Sequence, residues 1–221
     1  MLKNLIFDLG DVIIPIDMGA PIRNFATLAS LPEADVTALW KQHNLWYQYE
    51  TGMVDDEAFR QNVRRLLQKK GLPGSEGEPS DGEALLWADE VIDTAWNTIL
   101  LELPVERVER ILELKAGGKY RLFLLSNTNA IHIRQANKML NILGKPPLES
   151  LFERVFLSHE VRMAKPSPAI YEHVLTAAGL VAEETAFFDD NAANIEAAAA
   201  LGIQAIHVVP PKTIIDYLQG M

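Results

Sequence analysis

Leu5-Ile6-Phe7-Asp8-Leu9-Gly10-Asp11-Val12-Ile13-Ile14 is the stretch that decides how this 221-residue chain is read. An apolar run ends on a carboxylate, turns at a glycine, meets a second carboxylate and becomes apolar again. Short apolar runs bounded by turn signals fit a fully buried strand. Asp8 is therefore expected at the carboxyl end of a central strand, the edge where open α/β sheets bind ligands. A carboxylate between Phe7 and Leu9 is costly to bury without a partner. The rest of the chain is read for those partners.

Outward from this stretch, residues 1–16 hold the opening strand and its turn, with Pro15 and Pro21 at the exit. Residues 22–103 read as helical. Ile22, Phe25, Leu28 and Ala29 fall at helix spacing, as do Val36, Leu39, Trp40 and His43. Gly52 breaks the pattern, and Asp55-Asp56-Glu57 opens a further helix through Phe59, Val63, Leu66 and Leu67. Residues 71–82 carry glycine, proline, serine and acids and are expected to be an exposed loop. A last helix is expected to carry Leu85, Leu86, Ala88, Val91, Ile92 and Trp96.

The second half alternates. An amphipathic helix over 105–114 stops near Gly117-Gly118, and a strand follows over 120–125. Helix over 129–140, strand over 155–158, helix over 167–178, strand over 186–188, helix over 194–201 and strand over 205–209 succeed one another before a final helix. Strands alternating with helices imply a mainly parallel sheet covered on both faces. The fold class is thus α/β, a Rossmann-like core with an inserted all-α helical cap. Residues 1–16 and 104–221 form the expected core domain, and 17–103 the cap.

Composition narrows the partners. A formal charge of −10 argues against a nucleic-acid polyanion. The chain has no cysteine, which removes disulfides and thiolate metal sites. No apolar run is long enough for a membrane helix, and no cleavage site follows the apolar start, so a cytoplasmic protein is expected. The five histidines, His43, His132, His159, His173 and His207, lack metal-ligand spacing and are expected on helix faces and in loops. His132 lies near enough to Ser126 to reach a substrate.

Four short sequences share the carboxyl end of an expected strand: Asp8-Leu9-Gly10-Asp11, Ser126-Asn127-Thr128-Asn129, the loop with Lys165-Pro166, and Asp189-Asp190-Asn191. In a parallel sheet these ends converge. Asp8, Asp189 and Asp190 make three carboxylates without histidine or cysteine, a hard oxygen set suited to Mg²⁺. Ser126 and Asn127 offer a hydroxyl, an amide and backbone N–H groups for a phosphate, or alternatively a helix N-cap. Lys165 supplies positive charge. Together these groups suit nucleophilic phosphoryl transfer.

The four motifs, with Phe188-Asp189-Asp190-Asn191 followed by Asn194-Ile195, resemble in order and spacing those of the haloacid dehalogenase superfamily, subfamily I, with a helical cap. Within it the chain is similar to the α-D-glucose-1-phosphate phosphatase group. The resemblance implies an Mg²⁺-dependent phosphatase that acts on a small phosphorylated metabolite, such as a sugar phosphate, through an aspartyl phosphate. It implies Asp8 as nucleophile and metal ligand, the Gly10 carbonyl toward the metal, and Ser126 and Asn127 on the phosphate. Lys165 would hold the phosphate near the nucleophile. Asp190 would be a direct ligand, Asp189 a ligand directly or through water, and Asn194 a support for the loop. No nucleic acid, membrane or particular oligomer is implied, and a monomer is compatible.

Most phosphatases of this superfamily carry an acid/base aspartate two residues after the nucleophile, where this chain has Gly10. Asp11 follows one residue later, on the opposite face of an extended segment. Either the substrate has an easy leaving group, as anomeric and aryl phosphates do, or a turn brings Asp11 or a cap residue into the role. Tyr47, Tyr49, Glu50 and Thr51, before the Gly52 turn, are expected to look down on the site, with Glu50 contacting substrate and Trp46 in the cap core. A metal-free dehalogenase and a catalytically quiet binding or regulatory protein are the alternatives.

Overall fold

The computed structural model describes residues 1–68 and 87–221. The loop expected over 71–82, with Leu85 and Leu86, lies outside the described residues.

Five parallel strands build the sheet: β1 Asn4–Phe7, β2 Arg121–Ser126, β3 Arg154–Leu157, β4 Thr185–Asp189 and β5 Gln204–His207, in the order β3-β2-β1-β4-β5. β1 is central, as its apolar run Leu5-Ile6-Phe7 requires, and all four of its residues are buried. Ile6 stands beside Phe123 on one side and Phe187 on the other. Alternation then assigns faces. Leu5, Phe7, Leu122, Leu124, Ala186 and Phe188 enter one core layer, and Ile6, Phe123, Leu125 and Phe187 enter the other. The Phe7 and Phe188 rings stack at 5.2 Å across the strand pair.

Helices α1 Ala20–Ala29, α2 Glu33–Gln42, α3 Leu45–Glu50, α4 Asp56–Val63 and α5 Asp89–Asn97 lie between β1 and β2 in sequence and form the helical cap. The Asp55 side chain caps α4 by accepting from the Ala58 N–H, as its position before an acidic first turn suggests. After Val63 the helix widens into a π-helical segment, Arg64–Gln68. The cap has its own aromatic core. Trp96 lies 4.7 Å from Trp46, 4.9 Å from Phe59 and 6.0 Å from Trp40 between ring centroids. Arg60 grips Asp93 with two hydrogen bonds of 2.8 and 2.7 Å, tying α4 to α5.

The remaining helices are α6 Val105–Gly117, α7 Ala130–Ile142, α8 Leu148–Leu151, α9 Ser158–Val161, α10 Pro168–Ala178, α11 Ala192–Ala199 and α12 Ile214–Tyr217. The sequence pattern does not signal the single-turn helices α8 and α9, because one turn is too short to show a period. α11 starts two residues before the expected Asn194, capped by the Asn191 side chain on the Ala193 N–H. His207 lies on the edge strand β5, not on a helix face or in a loop. Among the described residues no helix is long and apolar enough to cross a membrane.

Ile131 of α7 belongs to the cap's apolar cluster, and the His132 ring stacks on Trp96 at 4.9 Å. The cap therefore rests on the helix that follows β2.

Candidate active site

Parallel register brings the strand ends together. Phe7 pairs with Leu124 and with Phe188, so Asp8, the end of β2 and Asp189 emerge at one edge. The Asp8 N–H completes the ladder on the Phe188 carbonyl at 2.9 Å. Asp8, Gly10, Ser126, Asn127, Lys165 and Asp190 line one cavity of about 300 Å³, with the cap across from them.

Lys165 is the hub. Its side chain is 1 % exposed, and Nζ lies 2.8 Å from Asp8 Oδ1 and 2.7 Å from Asp189 Oδ2. It also donates to the Leu125 carbonyl at 3.1 Å. Burial alone would lower its pKa, but the two carboxylates outweigh that and raise it. A buried ammonium needs this pairing to remain charged. Burial pushes the Asp8 carboxyl up to about 7, against the pull of Lys165.

The carboxylates divide by their partners. Asp189 is fully buried, and both of its oxygens are occupied by Lys165, the Asn194 amide and the Asn191 N–H. Asp190 is half-buried and makes no ion pair among the described residues. Burial, then the neighbouring Asp189 and Asp11, raise its pKa. The His207 ring meets the Asp190 carbonyl at 2.8 Å and fixes its backbone. One oxygen from each of Asp8, Asp189 and Asp190 lies within 4.8 Å of the others. An all-oxygen set with one carboxylate that no cation among the described residues pairs fits a hard divalent cation, which uses few carboxylates. The Gly10 carbonyl accepts from the Val12 N–H at 2.6 Å and keeps a second lone pair.

The Gly10–Asp11 turn departs from the extended segment expected there. Asp11 sits at φ 52°, and its Oδ1 accepts from the Ile16 N–H at 3.0 Å. The tight return of the chain, with the Asp11 N–H on the Ile14 carbonyl at 2.8 Å, forces this conformation. Arg107 of α6 donates to the Asp11 and Val12 carbonyls at 3.2 and 3.1 Å. No sequence signal marks Arg107, which looks like one more charge on a solvated helix face. A Cβ on Gly10 would lie 3.2 Å from Ile16 Cδ1, so Ile16 occupies the space beside this position.

After β2 the chain forms a polar loop. The Asn127 amide does not point freely at a ligand: it donates to the Lys165 carbonyl and accepts from the Lys165 N–H, each at 2.9 Å. It thereby locks the backbone that carries Lys165. The N-cap of α7 is Asn129, not Ser126 or Asn127, with its Oδ1 accepting from the His132 N–H at 3.1 Å. Ser158 accepts from the Thr128 N–H at 2.9 Å and bridges β3 to this loop, a support that sequence reading missed.

From the cap, Glu50 and Trp46 line the cavity. The other expected cap residues do not. Tyr47 is 49 % exposed, and Tyr49 is buried, stacked on Phe59 at 4.2 Å with its hydroxyl on Asp56. Thr51 is buried and donates to the Tyr47 carbonyl at 2.7 Å. Four residues spread over little more than one helical turn cannot all point the same way. Trp46 packs in the aromatic cluster as expected and also walls the cavity. Burial pushes the Glu50 carboxyl up to about 7, opposed by a hydrogen bond from Trp46. His132 is buried, with Nδ1 3.0 Å from the Asn129 amide nitrogen and Nε2 3.3 Å from the Trp96 carbonyl. The Asn129 amide donates, so Nδ1 accepts and Nε2 carries the proton. Burial lowers its pKa to about 4.

The family model for haloacid dehalogenase-like hydrolases matches residues 2–202. The D-ribitol-5-phosphate phosphatase of Bacteroides thetaiotaomicron is 28% identical over 100% of this chain and 97% of its own length. The phosphorylated carbohydrates phosphatase of Thermotoga maritima is 29% identical over 66% of this chain and 67% of its own. A crystal structure of a HAD family enzyme from Bacteroides thetaiotaomicron, in complex with magnesium and inorganic phosphate, superposes with a TM-score of 0.82. It is 29% identical and covers 99% of this chain and 100% of its own.

Proposed function

On the premise that this chain belongs to the haloacid dehalogenase-like hydrolases, we propose that it is an Mg²⁺-dependent phosphatase of small phosphate monoesters, sugar or polyol phosphates among them. Residues 1–16 and 104–221 act as its catalytic core and 17–103 as its cap. One observation carries the reading. Lys165 is buried between Asp8 and Asp189, while the Asp190 carboxylate on the same cavity has no ion-pair partner among the described residues. Two relatives named for phosphorylated carbohydrates and polyols, and a neighbour holding magnesium and phosphate, support the substrate class and the metal.

Asp8, Asp190 and the Gly10 carbonyl would hold Mg²⁺, with Asp189 as a further ligand or as the partner that fixes Lys165. Bound Mg²⁺ offsets the repulsion between a carboxylate and a phosphate and polarises the phosphoryl oxygens. An Asp8 oxygen attacks phosphorus, the bond to the leaving oxygen breaks, and water then hydrolyses the aspartyl phosphate. The Ser126 hydroxyl, backbone N–H groups at Asn127 and the Lys165 ammonium stabilise charge on the transferring group. Asn127 contributes its main chain there, because its amide is spent on Lys165. Glu50 contacts the leaving group from the cap.

The deciding assay is release of inorganic phosphate from a panel of sugar and aryl phosphates. Hydrolysis should require Mg²⁺, stop with chelator, and fall to background in Asp8→Asn. Chloride release from a 2-haloacid without metal would favour a dehalogenase instead. Inactivity on every ester would favour a binding protein.

A further inference from the structure

The site has a nucleophile and a cation site, but position 10 carries no acid. Ile16 presses on that position, so no side chain from the first loop fills it without rearrangement. Outside the nucleophile, the other two clustered carboxylates and Lys165, three titratable side chains line the cavity: Asp11, His132 and Glu50. Asp11 is exposed, and its carboxylate is turned back onto the Ile16 N–H. Both ring nitrogens of His132 are engaged within the Trp96–Asn129 cluster. Glu50 remains, with Trp46 as its hydrogen-bond partner and no bond to Asp8, Asp189 or Asp190.

We propose that Glu50, delivered by the cap helix α3, is the proton donor to the leaving-group oxygen and the proton acceptor from the attacking water. The inference rests on the phosphatase reading above. Its placement follows from direction. The leaving group departs opposite the attacking Asp8 oxygen, away from the strand ends and toward the cap, where Glu50 and Trp46 form the facing wall. Water enters at the same position, so one group serves both steps. In the first step the Asp8–phosphorus bond forms and the bond from phosphorus to the leaving oxygen breaks. The Glu50 carboxyl proton moves to that oxygen, and an alcohol leaves. In the second step water attacks phosphorus and gives a proton to the Glu50 carboxylate, and the Asp8–phosphorus bond breaks. Phosphate leaves, and both side chains return to their starting state. The charged groups facing Glu50 are Asp8 and Lys165 from the core, and burial favours the protonated carboxyl from which the cycle starts, against the Trp46 hydrogen bond.

The test compares Glu50→Gln with the unaltered protein, loaded with Mg²⁺, on phenyl phosphate and 4-nitrophenyl phosphate. Phenolate is the poorer leaving group and needs the proton. Glu50→Gln should lower kcat/KM on phenyl phosphate by about 100-fold, the low end for general acid catalysis, and leave 4-nitrophenyl phosphate within a few-fold. With slowed water attack, Glu50→Gln should also release a burst of 4-nitrophenolate equal to the enzyme concentration. Asp11→Asn, which keeps an oxygen for the Ile16 N–H, should leave both esters unchanged. An equal fall on the two esters, or no fall on either, would overturn the inference and leave Glu50 as a binding residue. A wild-type protein inactive on both esters would instead defeat the phosphatase reading, and this inference with it.

Discussion

Gly52 meets the backbone of His159 so closely that a Cβ added to it would stand 2.1 Å from the His159 carbonyl oxygen. Gly52 ends the α3 turn that presents Glu50, and His159 lies on α9, between β3 and the Lys165 loop. Its ring meets the Thr128 carbonyl at 3.1 Å, so the contact joins the cap to the loop after β2 as well. Gly52 also adopts φ +66°, the left-handed region that costs a side chain about 1–2 kcal/mol.

Gly52→Ala is therefore expected to push α3 away from α9. Thermal unfolding should drop by several degrees, and kcat/KM on the best ester should fall by at least about tenfold as Glu50 is displaced. An unchanged melting temperature would show that the contact does not hold the cap.

Lys165→Met leaves Asp8 and Asp189 as buried carboxylates without their cation. Removing one partner of a buried pair costs about 3–5 kcal/mol. Denaturant unfolding in chelator should show a loss of that order, and adding Asp8→Asn to the variant should restore part of it. Activity should vanish in both, because each lacks a group of the catalytic set.

Gly10→Asp tests the crowding at position 10. Overpacking against Ile16 is expected to cost about 1–3 kcal/mol. Ile16→Val removes the Cδ1 atom, the nearest contact at 3.2 Å. Stability of the double variant, measured by denaturant unfolding, should recover most of the loss. Equal stability of the two variants would show that Ile16 is not the obstacle.

His132 links stability to pH. Its folded pKa of about 4 lies below the ordinary 6.5, because burial disfavours the charged ring. The unfolded chain then binds the proton more readily. The stabilisation is present above pH 6.5 and is lost as pH falls toward 4, by roughly 2 kcal/mol between pH 7 and 5. Glu50, raised to about 7, acts in the opposite sense, so the comparison is between slopes. The unaltered protein should lose more stability from pH 7 to 5 than His132→Phe does. Identical slopes would place the His132 proton elsewhere.

The sequence by itself determined the sheet and the edge where the groups meet. Unbroken apolar runs at residues 5–7, 122–125 and 186–188 fit interior strands, and each is followed at once by polar residues that are costly to bury without partners. That is why Asp8, Ser126, Asp189 and Asp190 were legible together, with Lys165 as the cation in the loop after the strand expected over 155–158. The family model then established the class of enzyme. Tertiary structure decided direction and partnership. Local pattern does not show that the Asn127 amide is spent on the Lys165 backbone, or that Asp189 gives both oxygens to Lys165, Asn194 and Asn191, since those partners are distant in sequence or set by loop shape. Nor does it show Asp11 turning onto Ile16, a choice made by a tight turn and by Arg107 from a helix 96 residues away. Among the four cap residues Tyr47, Tyr49, Glu50 and Thr51, the packing of Tyr49 on Phe59 is what leaves Glu50 facing the cavity.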